Sequence, residues 1–289
     1  MEITEARWHV AGGYGMLATD IIAALRVRGV EPVVTDRDDL DITSPAQVAR
    51  GFADADIVVN CAAYTAVDAA EEDEATAFSV NATGPGVIAR ACSEMGLRMI
   101  HLSTDYVFSG RATRPYAEDA PLNPQGAYGR TKAAGEAQVR ASGADALIVR
   151  TAWLYGRGGP CFPKTIARLG RERGALEVVT DQVGQPTWTR DLADLILRLV
   201  EAEAPAGIYH GTSTGQTSWF GFAKEVVASA GLGDIVSPSS AADQRRPAPR
   251  PAYSVLGHDA LVAVGVEPIG DWQERWLLAA PEVLADVVG

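Results

Sequence analysis

Tyr128 and Lys132, in the run YGRTK, are a phenol and an amine placed four residues apart. On a helix that spacing is one turn, so the two side chains share a face. An ammonium held there stabilises a tyrosinate and lowers a phenol pKa that starts at about 10. Each unit of lowering corresponds to about 1.4 kcal/mol, so a large shift requires a close, poorly screened cation. Upstream, Ser103-Thr104-Asp105-Tyr106 follows the apolar run LRMIHL and adds hydroxyls and a carboxylate. A tyrosine–lysine pair alone is equally a feature of ordinary helix surfaces. Its weight comes from chain order, with the hydroxyl cluster before it and a glycine turn earlier still.

That turn is Gly12-Gly13-Tyr14-Gly15-Met16-Leu17-Ala18. Read as G-x-x-G-x-x-A between a strand and a helix, it fits a dinucleotide. Gly12 permits the tight turn, Gly15 lets the backbone approach a pyrophosphate, and Ala18 allows close helix–strand contact. Free amides and the helix dipole then hold the phosphate charge. Strand two ends at Asp36-Arg37, where an acid favours NAD and an arginine favours NADP. Both are present, so the cofactor is expected to be NADPH or NADH, with the preference open. Asp41-Ile42 lies where a carboxylate meets an adenine edge beside an aliphatic side chain. Asn60-Cys61-Ala62-Ala63-Tyr64-Thr65 closes strand three with small residues, leaving room for a cofactor to cross.

These groups need a scaffold. Arg7–Ala11, Glu31–Thr35, Asp56–Cys61, Leu97–Leu102 and Ala146–Arg150 read as strands. Met16–Arg28, Pro45–Phe52, Ala75–Met95 and Ala127–Ala141 between them read as helices. The alternation predicts an α/β fold: a doubly wound, Rossmann-type parallel sheet with helices on both faces and ligands beyond the strands' carboxyl ends. A strand at Gly207–His210 extends the sheet. Helical patterns return at Arg190–Glu203, Ser218–Ala230 and Asp271–Val288. Gly156–Pro160, Asp181–Pro186 and Ser237–Pro251 read as loops over a cleft. The expected division is a dinucleotide-binding domain of residues 1–152 and 190–212, and a smaller mixed α/β substrate lobe of residues 153–189 and 213–289.

Composition narrows the function class. The chain has 289 residues, 47% hydrophobic and 21% charged, enough for a substantial core. Its net charge of −12 argues against a general nucleic-acid binder, since phosphates would be repelled over most of the surface. Cys61, Cys92 and Cys161 lack metal-ligand spacing and read as packing thiols. No apolar run is long enough to span a membrane, and the expectation is a cytoplasmic protein.

The order GGYGMLA, NCAAYTAVDAAE, STDYVFSG, YGRTK, RTAWLYG and DQVGQPT resembles the extended short-chain dehydrogenase/reductase superfamily. More narrowly it resembles the dTDP-4-dehydrorhamnose reductase family, with likeness extending to TSWFGFAKEV and RPAYSVL. The resemblance implies an NAD(P)-dependent oxidoreductase of deoxysugar biosynthesis, reducing the C4 keto group of a dTDP-4-dehydro-6-deoxy-L-hexose to give dTDP-L-rhamnose. It implies Tyr128 as proton donor, Thr104 as the group polarising the carbonyl, and Lys132 as partner to Tyr128 and the nicotinamide ribose. Gly12, Tyr14, Gly15, Met16 and Leu17 would surround the pyrophosphate. Asp41 and Ile42 would flank the adenine, and Ala62, Ala63 and Thr65 the ribose and nicotinamide. Val67, Asp105, Tyr106 and Trp153 are implied sugar-pocket positions, and Arg250 is the expected clamp on the substrate diphosphate. Arg245 and Arg246 are poorer candidates, while Trp188 and Trp219 offer faces to a base or serve as packing anchors. No metal ligand set maps onto the chain, and a homodimer stays open. Two alternatives also stay open: a sibling dTDP-deoxysugar 4-ketoreductase, and a non-catalytic cofactor-binding regulatory subunit.

Overall fold

The computed structural model describes residues 3–243 and 246–288, which leaves Arg245 outside the described residues. Strand β1 (Trp8–Ala11) and helix α1 (Met16–Val27) enclose the glycine turn. There follow β2 (Val33–Thr35), α2 (Pro45–Gly51), β3 (Ile57–Asn60), and the short helices α3 (Ala69–Glu72) and α4 (Glu74–Phe78). Next come α5 (Gly84–Met95), β4 (Arg98–Thr104), α6 (Ala127–Ala141) and β5 (Ala146–Thr151). After α7 (Phe162–Arg173) and α8 (Thr189–Glu201), the strand Gly207–His210 returns to the sheet.

The six-stranded sheet runs in the order Gly207–His210, β5, β4, β3, β1, β2, and every pairing in it is parallel. The chain order reverses direction beside β1, so β1 and β3 flank the switch point where such sheets open a crevice. Helices cover both faces because the strands are apolar on both. β1, β3 and β5 have no exposed residue.

On one face α1 and α8 pack together. Leu192, Leu195, Ile196 and Leu199 recur at i, i+3, i+4 and i+7 on α8 and are fully buried. Truncating one such leucine to alanine costs about 2–5 kcal/mol. On the other face, Val48 of α2, Ile88 and Cys92 of α5, and Val139 of α6 pack on Val58, Met99 and Ile148. A further core joins Tyr155, Ile166, Trp188, Phe222, Trp272 and Trp276 from the later segments. Leu261, Val266 and Ile269 pack instead beneath the main sheet.

Three departures from the pattern have physical causes. The stretch expected as one helix, Ala75–Met95, breaks into α4, a π turn at Ser79–Thr83 and α5. Pro85, in the first turn of α5, has no amide to continue the ladder, and the wider turn absorbs the mismatch. The expected helix Asp271–Val288 is two helices, Trp272–Val283 and Ala285–Val288, with Pro281 near the break. The loop expected at Ser237–Pro251 contains part of a strand, Val236–Ser239, which pairs with Leu176–Val179. Helix α7 escaped the sequence reading although Phe162, Ile166 and Leu169 are spaced for one helical face.

Candidate active site

The strands deliver their carboxyl ends to one edge. Ala11 is level with Thr35 and Asn60, and Thr104 with Thr151. The glycine turn begins at this edge. Gly12 has φ +76°, and a Cβ there would stand 2.5 Å from the Ala62 nitrogen. A Cβ at Gly13 would stand 2.1 Å from Cγ1 of Val34. The turn is therefore held between β2 and the segment after β3, where Ala62 lies against Gly12.

The start of α1 fits the phosphates of a dinucleotide. No side chain caps the helix at Gly15, and its first turn carries no acid. The exposed start of a helix with free amides is an anion site. Gly158 and Gly159, in the loop expected over the cleft, lie 3.6 Å from Met16 measured from their would-be Cβ positions.

Asp36 reaches the same turn. Its carboxylate accepts from the Tyr14 amide at 3.3 Å and the Arg37 amide at 2.7 Å. Arg37 extends into solvent, 91% exposed, with its guanidinium 3.9 Å from Asp38. Asp41 is occupied locally, accepting from the Thr43 amide and hydroxyl at 2.9 and 2.7 Å. Ile42 is buried against Gly84 and packs in the core beneath α5. Thr65 and Tyr14 are exposed, and Ala63 and Val67 are half-buried along this edge.

The hydroxyl cluster at the end of β4 meets α6, the helix that carries Tyr128 and Lys132. Thr104 donates to Asp105 Oδ1 at 2.9 Å and accepts from the Tyr106 amide at 3.2 Å. The Tyr106 and Tyr128 rings meet edge-on, with centroids 5.5 Å apart. Gly129 makes the approach possible, since a Cβ there would stand 2.3 Å from the Tyr106 carbonyl oxygen. Burial raises the Tyr128 phenol to about 12, while the adjacent Thr104 hydroxyl opposes the rise.

The expected lowering of the tyrosine by Lys132 is thus reversed. Lys132 turns away under the sheet edge and donates to the Leu102 carbonyl at 2.5 Å. Burial lowers its own pKa to about 8, against the opposing charge of Glu136 and the nearby Cys61. Helical spacing put both residues on one face. Burial then decided which proton each keeps.

Asp105 is buried, and its pKa is raised to about 6 by that burial, with Ser254 and Thr104 acting in the opposite direction. Among the described residues its Oδ2 has no hydrogen-bond partner, and neither has the Ser254 hydroxyl that faces it. Arg250 does stand at the mouth of this region. It lines a cleft of about 160 Å³ with Tyr106, Gln125 and Gly126. Its Nη2 donates to Asp68 Oδ2 at 2.8 Å, a partner that sequence reasoning missed.

Trp153 adopts φ +47°, rare for a bulky residue, and its ring stacks on Trp219 with centroids 3.5 Å apart. Trp219 therefore packs with Trp153. Trp188 is buried beneath Arg190 and Arg275, a packing anchor rather than an exposed face. Gln185 is also internal, linking Thr212 with the Leu256 backbone.

Other positioning residues were missed. Glu71 accepts from the Ala127 amide at 2.7 Å and so caps the start of α6. Asn81, placed by the π turn, bridges the Tyr64 backbone and the Thr131 hydroxyl. Only the tertiary pairing identifies either one. Cys92 and Cys161 are buried, Cys61 is half-buried, and all three are free thiols. Among the described residues no three His, Cys, Asp or Glu side chains are grouped to hold a metal. Nor is any described helix long and apolar enough to cross a membrane.

Comparison with known proteins adds a family. A family model described as the RmlD substrate binding domain matches residues 7–284. A dTDP-4-dehydrorhamnose reductase of Streptomyces griseus is 46% identical, over 92% of this chain and 90% of its own. A probable dTDP-4,6-dihydroxy-2-methyloxan-3-one 4-ketoreductase of Streptomyces antibioticus is 45% identical, over 96% of both chains. The structure of dTDP-4-dehydrorhamnose reductase from Bacillus anthracis in complex with NADP superposes with a TM-score of 0.91 at 36% identity. It covers 95% of this chain and 98% of its own.

Proposed function

The chain belongs to the RmlD substrate binding domain family, and on that premise we propose that it reduces dTDP-4-dehydrorhamnose to dTDP-L-rhamnose. The observation that carries the reading is the Thr104–Tyr128 contact where the carboxyl end of β4 meets α6, with Lys132 one turn along that helix.

Bound NADPH or NADH supplies the hydride. Tyr128 delivers the proton to the sugar C4 oxygen as the carbonyl becomes an alkoxide. A phenol raised to about 12 stays protonated at neutral pH, the state a reductase's donor must hold. Thr104 orients that carbonyl, and Asp105 orients Thr104. Lys132, anchored on the Leu102 carbonyl, would hold the nicotinamide ribose once the cofactor is bound. Gly12, Gly15, Met16 and Leu17 would cradle the pyrophosphate, with Ala62 and Ala63 beside the ribose. Val67, Tyr106 and Trp153 enclose the sugar. Arg250, already oriented by Asp68, receives the substrate diphosphate. The lobe of residues 153–189 and 213–289 carries Trp153, Trp219 and Arg250 to the sugar side. We place the reaction in the cytoplasm, and a homodimer is tested by sedimentation.

A second reading is favoured by the Streptomyces antibioticus relative, a probable 4-ketoreductase of another dTDP sugar. A panel of 4-keto sugar nucleotides assayed with both cofactors, and product configuration read by NMR, separates the two. Turnover of another keto sugar without turnover of the rhamnose precursor would replace the first reading with the second.

A further inference from the structure

Glu136 lies one turn beyond Lys132 on α6, and both side chains are buried. Each oxygen of its carboxylate is engaged. Oε1 accepts from the Ser103 hydroxyl at 2.6 Å and from Arg150 Nε at 2.9 Å. Oε2 accepts from Arg150 Nη2 at 2.7 Å. The two partners of this ion pair are each 1% exposed. Arg150 also donates through Nη1 to the Glu118 carbonyl at 2.9 Å, and its guanidinium lies 4.9 Å from the Phe108 ring centroid.

A buried ion pair is a poor source of stability, because desolvation offsets most of the attraction and an apolar pair of similar volume often does as well. What this pair does supply is placement. Through Ser103 it holds the residue immediately before Thr104, and through Glu136 it holds the helix that carries Tyr128. Both sides of the proton-donating contact are thereby tied to one carboxylate.

The groups facing Lys132 complete the case. Cys61, at the end of β3, has a thiol raised by burial to about 12 and is neutral at physiological pH. His101, on β4, is held well below its ordinary value by burial and by Lys132 itself, and is neutral too. The Leu102 carbonyl accepts the ammonium's hydrogen bond. Glu136, paired with Arg150 on β5, supplies the negative charge.

We propose that Glu136, braced by Arg150, is a positioning residue of the reductase: it registers Thr104 against Tyr128 and keeps Lys132 charged. This rests on the assignment of Tyr128 and Lys132 above.

The test compares Glu136→Gln with the wild type in two pH profiles. One follows kcat/KM for NADPH-dependent reduction of dTDP-4-dehydrorhamnose, and the other follows the Kd of NADPH by fluorescence. Removing the carboxylate should let Lys132 lose its proton earlier, moving the descending limb of both profiles about one pH unit lower. A limb that stays at the wild-type pH, whatever the plateau height, overturns the inference. If Glu136→Gln does not fold, the double variant Glu136→Met with Arg150→Met is held to a shift in the same direction, since Glu136 and not Arg150 acts on the Lys132 charge. A shifted Kd profile in a protein whose wild type does not turn over this sugar upholds the inference while ending the substrate assignment.

Discussion

Gly184 leaves the space that the Trp153 indole occupies, for a Cβ at Gly184 would stand 2.5 Å from that ring. The indole stacks on Trp219, and its backbone sits at φ +47°. Gly184→Ala should therefore displace Trp153 without touching the glycine turn. We expect KM for the keto sugar to rise by about ten- to a hundredfold while NADPH affinity is unchanged. Steady-state kinetics with a fluorescence titration check this, and an unchanged sugar KM would remove Trp153 from the pocket wall.

Tyr128→Phe removes one hydroxyl and keeps the edge-on contact with Tyr106. Reductase activity should fall by roughly two to four orders of magnitude, as loss of a positioned acid implies, with cofactor binding little changed. Activity at the wild-type level would mean that another group supplies the proton.

Asp105 predicts a pH-dependent stability. Its folded pKa, about 6, lies above the unfolded value of 3.8. Below that unfolded value the carboxyl is protonated in both states, and its burial carries no charge penalty. As pH rises through 6 the folded state must accept a buried charge, and stability is lost. The full difference is roughly 3 kcal/mol above that window. Asp105→Asn should accordingly melt at a higher temperature than the wild type at pH 7.5 and at nearly the same temperature at pH 4. Equal melting at both values would contradict the assignment.

We expect Asp36 to govern cofactor choice more directly than Arg37, since its carboxylate is fixed on the Tyr14 amide while Arg37 points to solvent. A 2′-phosphate arriving there meets a negative charge. Asp36→Ala should raise the ratio of kcat/KM for NADPH over NADH by about tenfold, the equivalent of ~1.4 kcal/mol of repulsion. Arg37→Ala should change that ratio less. The opposite ranking of the two variants would make Arg37 the selector.

Much of the site was legible because its signals are local. A glycine turn between an apolar strand and a helix, a hydroxyl cluster at a strand end, and a tyrosine one turn from a lysine are each read within a few residues. The strand alternation that positions them is local as well, and all six strands of the main sheet fall within two residues of the expected limits at each end. The edge strand Gly207–His210 matches outright.

The remainder depends on contacts between distant segments. Asp68 and Arg250 are 182 residues apart, and Glu71 and Ala127 are 56 apart, so no periodicity announces either pair. Lys132 shows the division most clearly. The sequence alone determined that it shares a helical face with Tyr128. The tertiary structure decided that its ammonium is drawn to the Leu102 carbonyl and Glu136, because a buried charge goes to whichever opposite charge or dipole the fold has placed nearest.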